Sequence, residues 1–188
     1  MSASEMIRLM EALAETIQSL PRQVGQLAVN FSKERFVEQN WLDESPEPWQ
    51  PRKRKRRGGK ARQQGAILVD SGRLKRSIRI IRVEGTTVII GTDVPYAQKH
   101  NEGFTGTENV KAYVQRVKQH KRKMKVKSGK RLKVKNVTVK AHSRRIKAHA
   151  RKVNIPKRQF LGSSRQLEEQ ISTFISSEIE NTIKDTLQ

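Results

Sequence analysis

The sequence predicts an α+β protein: N-terminal helices, a small, mostly antiparallel sheet with a short helix, a long basic β-hairpin extension and a C-terminal helix. Three observations predict it. Apolar residues recur at helical spacing at both ends of the chain. A stretch of β-branched residues with turn signals occupies the middle. Beyond it, apolar residues and lysines alternate with period two. Helical and strand signals that are segregated along a chain, rather than regularly alternating, indicate α+β packing.

At the N-terminus, Ser2 and Glu5 have the spacing of a capping box. Met6, Leu9, Met10, Leu13 and Ile17 then predict a helix to about Ser19. Pro21 is expected to interrupt it, and Val24, Leu27, Ala28, Phe31 and Phe36 predict a second helix to about Gln39. The apolar stripe reads as ordinary core. Residues 40–66 read as a basic loop inserted before the central unit, where regular structure stops. Trp41 and Trp49 are expected to anchor it on the body or on a neighbouring subunit, and a run containing Arg54 and Arg56 follows.

Residues 67–103 form the central unit. Asp70, Ser71 and Gly72 make a turn before Leu74; an apolar run over 78–83 turns at Glu84-Gly85 and returns over 87–91. Thr92 to Pro95 reads as a helix start. Residues 104–154 read as a basic hairpin or arm. Met124 and Val126, then Leu132 and Val134, alternate with Lys123, Lys125, Lys127, Arg131, Lys133 and Lys135 on either side of Ser128-Gly129. That pattern predicts a hairpin with one apolar face, expected to lie on a neighbour, and one cationic face free to meet phosphate. Arg144 and Arg145 continue the arm. After a proline-bounded return at 155–162, Ser163 or Ser164 is expected to cap a final helix. Its apolar face is Leu167, Ile171, Phe174, Ile175, Ile179 and Ile183, and its polar face is acidic. Residues 1–188 thus read as a single domain with two basic insertions.

Charge distribution narrows the function. The formal net charge is +22, yet it resides in two segments: 52–62 holds eight basic residues and no acidic one, and 108–160 holds twenty basic residues and one acidic. The rest is mildly acidic. Such concentration is costly through self-repulsion and calls for a polyanionic partner or a charge-balancing neighbour. No apolar run approaches the roughly 18 residues that span a bilayer, and no signal-peptide pattern opens the chain, so a soluble protein without membrane contact is expected. With no cysteine, disulfides and thiolate zinc sites are excluded.

Catalytic patterns are absent. His142 and His149 lie in a cationic arm that disfavours a second cation, and His100 has no histidine or cysteine companion. Asp70, Glu84, Asp93 and Glu102 have no spacing that implies an acid/base pair. No glycine-rich phosphate loop occurs. A non-enzyme without cofactor or metal is expected.

Three ordered motifs carry a family likeness. The first falls on Leu68, Ser71, Gly72, Leu74, Ser77 and Ile78; the second on Val88, Gly91, Thr92, Tyr96, Ala97, His100 and Gly103; the third on Ile155, Pro156, Arg158, Phe160, Leu161 and Gly162. In this order they resemble the phage virion morphogenesis family, the tail-completion or head–tail joining proteins of Mu-like phages. Gln159 stands where the family usually has proline, and the glycine of a P-x-G-x-x-W loop is missing before Trp49. The resemblance implies a structural virion protein at the neck or tail top, made in the bacterial cytoplasm. It implies a ring, a hexamer or dodecamer, contacting connector, portal-side or tail-tube proteins, with the packaged DNA as a candidate partner. On that reading Arg54, Arg56, the hairpin cations, Arg144 and Arg145 face DNA or an acidic neighbour. Gly72, Leu74, Gly91, Tyr96, His100, Gly103, Pro156, Phe160 and Gly162 serve the fold. The competing reading is a stand-alone basic nucleic-acid-binding protein, against which the acidic body counts.

Overall fold

The computed structural model describes residues 2–51, 65–128 and 131–187, with the side chains of 125–133 and 135 outside the description. Arg54 and Arg56 therefore lie outside the described residues. The described chain divides into two units, 1–104 with 155–188, and 105–154.

The first unit is built on α1, Ala3–Glu38. Its capping box is formed: the Glu5 amide donates to Ser2 Oγ at 3.2 Å, and the Ser2 amide donates to Glu5 Oε2 at 2.7 Å. The expected break at Pro21 does not occur, and one helix runs through it. Proline removes the hydrogen bond to the carbonyl of Ile17 and strains the preceding turn. Helix α4, Arg165–Leu187, compensates by splinting α1 on both sides of that point. Thr16 pairs with Thr182 at 2.9 Å on one side, and Ala28 and Phe31 cluster with Leu167 on the other.

The loop after α1 is less irregular than expected. β1, Asn40–Leu42, pairs with β2, Pro46–Pro48. Both tryptophans anchor it on the body: Trp41 packs edge-on against Phe31 with centroids 5.9 Å apart, and Trp49 against Phe36 at 5.4 Å. A short helix α2, Arg73–Ser77, leads into the antiparallel hairpin of β3, Arg79–Glu84, and β4, Thr87–Gly91. A bulge at Ile81 interrupts its ladder. Gly25 lets this hairpin approach α1: a Cβ there would lie 2.7 Å from Val88 Cγ1 and 2.9 Å from Ile80 Cδ1. α3, Ala97–Asn101, follows, though Thr92 does not cap it. Thr92 Oγ1 instead accepts from the Val94 amide at 3.2 Å and pairs with Ser77 Oγ at 2.6 Å. Val29, Phe36, Trp49, Leu74, Ile78, Val94, Ala97 and Phe160 form the main core. Ser164 caps α4, accepting from the Leu167 amide at 3.1 Å while donating to the Leu42 carbonyl at 2.7 Å.

The second unit is a two-stranded antiparallel ribbon in three nested modules. β5, Phe104–Val110, pairs with β10, His149–Ile155; β6, Tyr113–Val117, with β9, His142–Ile146; β7, His120–Ser128, with β8, Arg131–Val139. The hairpin is as expected, but its faces are not. Met124 is opposite Lys135, Val126 opposite Lys133, Lys125 opposite Val134 and Lys127 opposite Leu132. Directly opposed residues share a face of an antiparallel pair. Apolar positions of one strand therefore share a side with lysine positions of the other, and no single apolar face exists. Met124 and Val134 stay 42% and 59% exposed.

Candidate functional site

The three motifs meet at one junction in the body. Gly72 has φ +71°, a left-handed conformation that suits glycine, and it starts α2, which buries Leu74. Gly91 closes β4 beneath Ile81, whose Cδ1 would lie 2.8 Å from an added Cβ. Tyr96 precedes α3, half exposed, with its ring edge-on to His100 at 6.0 Å. The chain leaves the body at Gly103, φ +81°, where a Cβ would sit 3.0 Å from the Lys157 backbone nitrogen and 3.3 Å from the Ile155 carbonyl oxygen. Pro156 is partly buried on the return, and Gly162 is exposed between Phe160 and α4. Phe160 is fully buried against Phe36, centroids 5.0 Å apart.

Polar side chains that sequence reasoning did not single out stitch this junction. Asn101 Oδ1 accepts from the amides of Phe160 and Leu161, each at 2.9 Å, and its Nδ2 donates to the Leu161 carbonyl at 3.0 Å. Arg158, itself buried, donates from its amide to the His100 carbonyl at 2.7 Å. Its guanidinium grips the Gln50 carbonyl at 3.0 and 2.8 Å. Trp49 Nε1 donates to the Gln159 carbonyl at 2.9 Å. No local signal marks Asn101, because its partners lie about sixty residues downstream.

His100 Nδ1 is buried with no hydrogen-bond partner. Burial, and secondarily the Arg158 charge, pushes its pKa below the usual histidine value. Asp93 pairs loosely with Arg79 at 3.8 Å, and Glu102 accepts from Gln98 at 3.2 Å. Among the described residues no group of three or more His, Cys, Asp or Glu converges as metal donors. No helix there is long and apolar enough to cross a membrane.

The ribbon reveals a pattern that the linear reading missed. KAYVQRV (111–117), KQHKRKM (118–124), KAHSRRI (140–146) and KAHARKV (147–153) are four copies of a seven-residue unit. The first two residues of each lie in a break between strands, and the other five are in strand conformation. Val117 pairs with His142 and His120 with Val139, so the breaks at 118–119 and 140–141 face each other. His120, His142 and His149 each place Nδ1 3.0 Å from the carbonyl two residues earlier, a local staple across the break. Positions five and six are Gln115-Arg116, Arg122-Lys123, Arg144-Arg145 and Arg151-Lys152. Adjacent strand residues point to opposite faces, so the three repeats with two basic residues there place cations on both sides, while KAYVQRV has Gln115 followed by Arg116 alone. Arg144 donates to Gln115 at 2.8 Å, and Arg151 pairs with Glu108 at 3.1 Å. Arg116, Arg122, Lys123, Arg145 and Lys152 are exposed. Of the hairpin cations, Lys123 has a described, exposed side chain; Lys125, Lys127, Arg131, Lys133 and Lys135 are placed by backbone register alone.

Comparison with known proteins agrees with this architecture at the level of family. No curated protein and no solved structure matches the chain. Residues 3–180 match the model of the phage virion morphogenesis family, and with the three motifs gathered at one buried junction the chain belongs to that family.

Proposed function

We propose that this chain is a structural virion protein that completes the tail or joins head to tail as a subunit of a ring. Family membership supports a role in building the phage particle. The observation that carries the finer reading is the division of labour between the two units. The first unit gathers motif residues such as Leu74, Ile78, Ala97 and Phe160 in its core, while the second is a β ribbon with eighteen Lys and Arg against one Glu.

The body also leaves apolar surface uncovered, as a subunit awaiting neighbours does. Met6, Ile7, Met10 and Ile17 on α1 are 48%, 58%, 65% and 56% exposed, and Ile81 on β3 is 58% exposed. Ring symmetry would repeat one such heterologous contact until it closes. Native mass spectrometry of the full chain at low micromolar concentration tests the assembly. A hexamer or dodecamer is expected, alone or on addition of the adjoining tail or connector protein. A monomer or dimer under both conditions would overturn the ring and favour a stand-alone nucleic-acid-binding protein. Particles from a phage lacking the chain are expected to show unjoined heads and tails.

A further inference from the structure

We propose that the repeat ribbon binds the phosphate backbone of duplex DNA from both of its faces, seated in a groove rather than laid on a flat surface. The proposal deepens the head–tail reading by naming the ribbon's partner.

Charge accounting decides between DNA and a neighbouring copy. Residues 105–154 carry eighteen Lys and Arg against one Glu. The remainder of the chain carries twenty-two Lys and Arg against seventeen Asp and Glu. A homo-oligomer has as many bodies as ribbons, so at any stoichiometry its bodies, themselves net basic, offset none of the ribbon charge. A macromolecular counter-charge therefore comes from a foreign polyanion. The distribution of charge then selects the kind of contact. Arg116 and Arg145 share one face of the β6–β9 module, and Arg144 lies on the other. Arg122 lies on one face of β7–β8, and Lys121 and Lys123 on the other. A ribbon resting on an acidic protein surface would need cations on one side only. A two-stranded ribbon fits the major groove, and long Lys and Arg side chains on both of its faces can reach the phosphates that line the groove's two walls.

Composition disfavours the single-stranded alternative. Binding to single strands relies on aromatic stacking platforms, and residues 105–154 contain one Phe, Tyr or Trp, Tyr113, beside three histidines.

The test uses the full-length chain and a fluorescein-labelled duplex of about 30 base pairs, followed by fluorescence polarisation across salt concentrations. A log–log slope steeper than about −5 is expected, from six or more neutralised phosphates. R116Q/R122Q/R145Q removes cations from one face, and K121Q/K123Q/R144Q from the other. Each triple variant is expected to flatten the slope by about two to three units, while R116K/R122K/R145K leaves it unchanged. Circular dichroism checks that each variant keeps its strand content. If only one triple variant changed the slope, the two-faced seat would be wrong. Equal or tighter binding of single strands, or stronger competition by polyglutamate at matched charge, would assign the ribbon to another partner. Failure of this proposal is separable from failure of the head–tail reading. Steep duplex binding by a chain that never enters particles removes only the latter, and a flat slope in a chain that joins heads to tails removes only the former.

Discussion

Replacing Asn101 by alanine tests whether one side chain holds the returning segment at 160–161 onto α3 within the first unit. The side chain makes three hydrogen bonds to backbone, two accepted from the Phe160 and Leu161 amides and one donated to the Leu161 carbonyl. Phe160 is fully buried, so its amide cannot recover the lost bond from water without moving the ring off Phe36. An unsatisfied buried donor costs about 1–3 kcal/mol. Two donors, the second only partly shielded, put N101A at roughly 2–4 kcal/mol of lost stability. For a chain of this length that corresponds to a fall in melting midpoint of roughly 5–15 °C. N101D is the informative companion: a carboxylate still accepts from both amides, but its second oxygen faces the Leu161 carbonyl where a donor stood, so it recovers only part of the loss. Urea unfolding followed by tryptophan fluorescence reads the transition directly, since Trp49 and Trp41 both sit in the core. If N101A unfolds within about 0.5 kcal/mol of the parent, the stitch is not what holds the returning segment.

Two further outcomes follow from the body. P21A restores the amide donor that α1 lacks and removes the ring's clash, so it is expected to stabilise the protein by roughly 1–3 kcal/mol in the same urea assay. A destabilised P21A would show that the proline shapes the contact with α4. The second concerns His100, whose folded pKa is lowered by burial and by Arg158. Above about pH 6.5 the group is neutral in folded and unfolded chains alike and contributes no pH dependence. Below that pH the unfolded chain takes up the proton first, so stability falls as pH falls toward the lowered folded value, by at most about 1.4 kcal/mol per pH unit. H100Q is expected to flatten the stability profile just below about pH 6.5, and an unchanged slope would refute the assignment.

How much of this was legible in the sequence depends on the range of the interaction that decides each feature. The β3–β4 hairpin, the α4 cap and the capping box at Ser2 are set by neighbours a few residues apart, and turn chemistry and periodicity reveal them. The continuity of α1 through Pro21 depends on a partner helix at the other end of the chain, through contacts such as Thr16 to Thr182. The Asn101 stitch is equally non-local. The seven-residue repeat was present in the letters, but alternation over 123–135 drew attention to the hairpin and away from 111–124 and 140–153.

The faces of the ribbon show the sharpest limit. Alternation within one strand states which residues of that strand share a side, and says nothing of which side the partner presents. That is settled by the loop. Ser128 pairs with Arg131, leaving two residues between them, and this register sets Met124 against Lys135. A loop one residue longer, pairing Lys127 with Arg131, would set Met124 against Val134 and Val126 against Leu132. The same strands would then carry the single apolar face that the alternation suggests, suited to lying on a protein neighbour. A difference of one residue in the turn thus separates a ribbon built to pack on a surface from one that presents cations in both directions. The register found here is the second, and the basic pairs Arg144-Arg145 and Arg151-Lys152 behind the hairpin distribute charge in the same way without depending on that turn.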